Sequence, residues 1–91
     1  MARAPKESIE EYRRKLTFRA WHRGTREMDL LLGSFADRNI ASFDAEMLEQ
    51  FEKLLECPDP DLYEWVSGQT IVAKDEESPV MHLLLKHQYA R

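Results

Sequence analysis

Apolar residues recur along this chain with a helical period, and they do so in separate blocks. Met28, Leu31, Leu32, Phe35 and Ala36 stand at i, i+3, i+4, i+7 and i+8, the spacing of one buried helix face. Ile9, Tyr12, Leu16 and Ala20 form a stripe in an earlier helix, with Phe18 and Trp21 lying off it. Those two rings either widen the stripe or meet another element. Met47, Leu48, Phe51, Leu54 and Leu55 mark a third buried face, opposite Glu46, Glu49, Glu52, Lys53 and Glu56. Leu62, Tyr63, Trp65 and Val66 supply a short fourth helix, and Val80, Leu83, Leu84 and His87 a last one, with Met81 and Leu85 beside them.

The polar residues between the blocks are start and stop signals. Ser8-Ile9-Glu10-Glu11 has the form of a capping box, so the first helix starts there and runs to about His22. Gly24 ends it, Thr25 caps the next, and that helix closes near residues 37–39. Gly33 within it costs about 1 kcal/mol against alanine and permits close helix packing. Asp44 caps the third helix, with Phe43 placed to staple onto Leu48, and Pro58 stops it. Asp59-Pro60-Asp61 is expected to be the cap and acidic first turn of the fourth helix, which Gly68 ends. Residues 69–77 are a loop with an extended stretch at Thr70-Ile71-Val72, and Ser78-Pro79 starts the last helix. The expected fold is all-α, a compact bundle of four to five short helices. Phe43, Phe51, Leu55 and Trp65 are assigned to its core. Tyr63 is harder to place, because its hydroxyl needs water or a partner.

Length fixes the scale of what such a bundle can do. With 91 residues the chain is expected to be one domain, 1–91, with residues 1–7 as a flexible tail. A chain this short buries about 60–65% of its unfolded surface, enough for one thin core but not for a walled substrate cavity as well. The single cysteine, Cys57, cannot form an internal disulfide, and at a helix end before Pro58 it is expected to be a small packed side chain. No apolar run reaches the 18 residues of a membrane span, so no direct membrane insertion is expected. The first residues are neither apolar like a secretory signal nor free of acids like a targeting peptide, which makes cytoplasmic the simplest reading.

Charge is divided along the chain. Residues 1–27 carry +4 and residues 28–91 carry −8, giving the net −4. A basic segment can be a nucleic-acid arm. An acidic body repels phosphate from most directions, so a solvated helix face is the better account and no nucleic-acid partner is expected.

No constellation suggests catalysis. His22, His82 and His87 lack a metal-ligand spacing, there is no cysteine pair, and the three glycines are too scattered to cradle a phosphate. No nucleophile-elbow glycine pattern surrounds any serine. No catalytic residue and no metal ligand is therefore expected. The segment Arg19-Ala20-Trp21-His22-Arg23-Gly24-Thr25-Arg26-Glu27 differs in kind. It gathers three arginines, a tryptophan and a histidine around an abrupt junction, where Gly24 bares the backbone, Arg23 offers a planar fork and Glu27 sits in a helix first turn. On physical grounds alone this is as consistent with a tight turn holding a local Arg–Glu pair as with a binding site.

Arg23-Gly24-Thr25-Arg26-Glu27-Met28-Asp29 resembles the Arg-Gly-x-x-Glu signature of the succinate dehydrogenase flavinylation factors, the bacterial SdhE and mitochondrial assembly factor 2 family. Leu54-Leu55-Glu56-Cys57-Pro58-Asp59-Pro60-Asp61-Leu62-Tyr63-Glu64-Trp65 is similar to that family's second block. The likeness covers roughly residues 10–88, departing at His22, where members often have a first arginine. The resemblance implies a five-helix bundle without catalysis of its own. It would bind the flavoprotein subunit of succinate dehydrogenase, or of fumarate reductase, and promote covalent attachment of that subunit's FAD. This chain would hold no tightly bound cofactor and would be a monomer, bacterial and cytoplasmic or, in a eukaryote, in the mitochondrial matrix. Carried over by position, Arg23, Gly24 and Glu27 are the partner-binding residues, flanked by Arg19, Trp21 and Arg26. Two other classes compete: a small helical DNA-binding regulator, suggested by the helix-turn-helix pattern of residues 9–38, and an antitoxin. The first is weakened by Glu27, Asp29 and Asp37 on the helix that would enter the groove.

Overall fold

Each expected helix is present in the computed structural model, which describes residues 7–87. Helix α1 spans Ile9–Trp21, α2 Arg26–Asn39, α3 Ala45–Leu55, α4 Asp59–Val66 and α5 Pro79–Lys86, with 3-10 turns at Ile40–Ser42 and Lys74–Glu76. The fold of the described residues is all-α. The proposed tail falls mostly on residues 1–6, outside the described residues; Glu7 is ion-paired with Lys15 at 2.9 Å.

Local chemistry sets the helix ends. Ser8 and Glu11 form both halves of the capping box. Thr25, Asp44 and Ser78 each accept the amide three residues on, and such caps contribute about 1 kcal/mol apiece. Helix α4 departs from expectation. Its cap position is Pro58, with no side-chain cap, because the Asp59 carboxylate turns away to bind Arg23. Gly68, at φ +83°, closes α4 in a Schellman arrangement: its amide donates to Trp65 and that of Gln69 to Glu64. The stretch Thr70-Ile71-Val72 is not a strand. Only Val72 turns inward, while Ile71 is almost fully exposed.

Helix α1 lies along α2 and α3, and α5 closes the other side against α3 and α4. The core runs from Tyr12, Leu16 and Ala20 through Leu32 and Phe35 to Phe51, Leu62, Val80 and Leu84. Phe35 sits at its centre, with ring centroids 6.2 Å from Phe43, 5.6 Å from Phe51 and 5.5 Å from His87. The two rings off the α1 stripe have different fates. Trp21 lies flat over Gly33, so close that an added Cβ at residue 33 would stand 2.1 Å from the indole, and its Nε1 donates to Asp37 at 3.3 Å. Phe18 stays outside, stacked on His22 at 3.8 Å. In α5 it is Met81, not Leu83, that joins Val80 and Leu84 inside. Phe43, Phe51 and Leu55 are core residues as expected, and Trp65 is half-buried against them.

Cys57 is buried, its thiol pushed up to about 11 by burial and by the neighbouring Glu76 carboxylate. His87 ties the end of α5 to α2, its Nε2 standing 2.9 Å from the Ser34 hydroxyl. Burial, and then the positive charge of Arg38, hold its imidazole below the ordinary value. The folded state therefore binds fewer protons at this site than the unfolded chain. Its contribution is intact above the unfolded value of about 6.5 and is lost as pH falls through the lower folded value. Thermal melts of wild type and His87→Gln should converge as pH is lowered from 8 through about 6. A gap that widens on acidification would show that the site favours imidazolium.

Candidate partner-binding site

The site begins where α1 stops. Gly24 takes φ +112°, a conformation that L-residues rarely adopt, and a Cβ there would meet nothing within 4 Å. The glycine is thus required by the backbone bend and not by crowding. The bend is held by Asp29, whose Oδ1 accepts the amides of Arg23 at 2.6 Å and Gly24 at 3.2 Å. From this turn α2 sets off, with Glu27 exposed in its first turn and Met28 buried beneath it.

Arg23 is not the open fork that the sequence suggested. Its side chain is only 13% exposed and reaches back to the α3–α4 junction. Nε and Nη2 donate to Asp59 Oδ1 at 2.9 and 2.6 Å, Nη2 also donates to the Cys57 carbonyl at 2.8 Å, and Nη1 donates to the Leu55 carbonyl. The Leu55 carbonyl is at the end of α3, where a helix leaves acceptors unmatched, and the Cys57 carbonyl lies two residues beyond it. A planar guanidinium can serve a carboxylate and two carbonyls at once, which a lysine cannot. Arg23 is thus clamped to a residue 36 positions away.

The clamp brings the two sequence blocks together. An open groove of about 520 Å³ runs between the first turns of α2 and α4, lined by Thr25, Glu27, Met28, Asp59, Pro60 and Tyr63. Tyr63, unplaced by sequence, is 48% exposed on its wall. The flanking candidates are not brought into this groove. Arg19 donates to Glu52 of α3 at 3.4 Å, beside the Tyr12 hydroxyl at 2.7 Å on the same carboxylate. Trp21 faces Gly33, and Arg26 is exposed at the start of α2. Sequence reasoning missed Asp29 as the brace of the turn, Asp59 as the counter-ion of Arg23, and Tyr63 as a groove residue. The signal for Asp29 was its place inside the quoted motif; the Arg23–Asp59 pair had no local signal.

Among the described residues no helix is long and apolar enough to cross a membrane. Comparison with known proteins agrees with the motif. Residues 14–88 match the family model described as flavinator of succinate dehydrogenase. The chain is 38% identical over 79 residues to the FAD assembly factor SdhE of Acetobacter pasteurianus, covering 87% of this chain and 72% of that one. It is 39% identical over 79 residues to the mitochondrial succinate dehydrogenase assembly factor 2 of Dictyostelium discoideum, covering 87% of this chain and 56% of that one. A third relative, the mitochondrial assembly factor 2 of Debaryomyces hansenii, is 43% identical over 61 residues, 67% of this chain and 43% of its own length. This chain thus spans most of the bacterial relative but about half of the two eukaryotic ones. With the motif, the fold and the match over most of its length in agreement, the chain belongs to the succinate dehydrogenase flavinator family.

Proposed function

We propose that this protein is an assembly factor that binds the flavoprotein subunit of succinate dehydrogenase and promotes covalent attachment of FAD to it, without catalysing the step itself. The observation that carries this is the Arg23 clamp, which joins both blocks of the family signature into one exposed groove. Covalent flavinylation draws its reactivity from the cofactor and the target. A helper contributes by holding the target in the reactive arrangement, and a rigid face on a small bundle suffices for that. In this reading FAD is the partner's cofactor and is not held tightly here, and fumarate reductase is a second possible target class. The protein acts as a monomer in the compartment where the flavoprotein folds, the cytoplasm of a bacterium or the mitochondrial matrix of a eukaryote.

Arg23 and Asp29 shape the face, while Gly24 and Glu27 meet the partner. Co-expression of the flavoprotein with wild-type, Gly24→Ala or Gly24→Arg protein tests this, with covalent flavin read as in-gel fluorescence after denaturation. Both substitutions carry the strain of a positive φ, about 1–2 kcal/mol. Only arginine adds bulk at the rim. Covalent flavin should fall at least about tenfold with Gly24→Arg and by much less with Gly24→Ala. Undiminished flavin with folded Gly24→Arg would refute the reading.

A further inference from the structure

The outer edge of α1 holds an aromatic ring in solvent beside the Gly24 turn. We infer that this edge is a second contact for the flavoprotein, one that takes an apolar side chain accompanied by carboxylates, with Phe18 as the platform and the exposed arginines of the segment as the counter-charges. The inference rests on the flavoprotein reading above.

Phe18 is 61% exposed, whereas the other three phenylalanines, Phe35, Phe43 and Phe51, are buried. Its ring is nonetheless fixed. It stacks on His22 with centroids 3.8 Å apart and planes 20° from parallel. His22 Nδ1 stands 2.6 Å from the Phe18 carbonyl oxygen. A carbonyl can only accept, so Nδ1 carries the proton and the imidazole is held over the ring. A flat apolar face set in this way loses little side-chain freedom when a partner covers it. His22 is two residues from Gly24, so the face runs on into the turn proposed to meet the flavoprotein.

Charge narrows what can cover the ring. Residues 12–26 contain six lysines and arginines and no aspartate or glutamate. Four of the six are ion-paired, with Glu10, Glu7, Glu52 and Asp59. Arg14 and Arg26 are exposed. Arg14 lies one turn before Phe18 on the same helix face. The acid it interacts with, Glu11, already accepts the Ser8 amide. An exposed pair of that kind is weak and leaves the guanidinium open to a second carboxylate. A partner surface with acids around an apolar side chain therefore gains from both the ring and the arginines, and a basic one is repelled. Nucleic acid would also answer the arginines, but residues 28–91 carry −8 and repel it.

The test is calorimetric titration of the purified flavoprotein subunit with wild type, Phe18→Ala, Phe18→Tyr and Arg14→Glu, at low and high salt. Phe18 lies outside the core and alanine is the strongest helix former, so thermal melts of Phe18→Ala should match wild type. Phe18→Ala should weaken binding by about tenfold and Phe18→Tyr by no more than about twofold, since the ring is kept. Arg14→Glu should weaken binding by about tenfold at low salt and by less at high salt, where charge is screened. Affinity unchanged by Phe18→Ala, or unchanged or raised by Arg14→Glu, overturns this contact while leaving the assembly function standing. A wild-type protein that does not bind the flavoprotein overturns both.

Discussion

Replacing Arg23 with methionine should destabilise the protein by about 2–4 kcal/mol and should do so before any partner is present. The substitution keeps an aliphatic stem and removes every donor. Asp59 then loses its counter-ion, and the Leu55 and Cys57 carbonyls lose their donor at the α3–α4 junction. A fully buried pair broken this way costs about 3–5 kcal/mol. Asp59 is 29% exposed, so water recovers part of that, which sets the lower figure. Lysine should restore only a fraction, because a point charge cannot reach the carboxylate and both carbonyls together. Urea unfolding of Arg23→Met, Asp59→Asn and the double variant gives the coupling directly; the double variant should be less destabilised than the sum of the singles. If Arg23→Met unfolds like wild type yet fails to bind the flavoprotein, the arginine belongs at the interface and the clamp is incidental.

Phe35→Ala should be the most damaging single truncation in the core, at about 3–5 kcal/mol. The ring is completely buried and touches Phe43, Phe51 and His87, which come from three other parts of the chain. No one neighbour can close the void, because each is fixed by its own element. A domain of this size has a total stability of about 5–14 kcal/mol. The variant should therefore lose a large part of its margin, and its urea midpoint should fall without a change in slope. A shift worth less than about 1.5 kcal/mol would mean that the aromatic cluster collapses freely around the gap.

What could be read in the sequence was what is decided within a few residues. The capping box at Ser8, the caps at Thr25, Asp44 and Ser78, and the stripes of α1, α2 and α3 are local matters, and all stand as expected. Departures arise where a distant group competes. Asp59 has the right identity to cap α4, but a guanidinium from the α1–α2 turn outbids the helix amides for it. Leu83 has the right spacing for the α5 core, but the helix is rotated so that Met81 is buried in its place. Of the candidate site, Gly24 and Glu27 lie at the surface as expected, while Arg23 lies beneath it. A motif shows which residues matter together, not which of them faces outward.

The contact of Trp21 with Gly33 has a consequence for how the family can vary. An indole lying 2.1 Å from where a Cβ would be leaves no room for any side chain at residue 33, and the tryptophan cannot be retained unmoved if one is added. The two positions, twelve residues apart and on different helices, form one steric unit. Lineages that gain a side chain at position 33 must also shrink position 21, so substitutions at the two sites should be inherited as a pair.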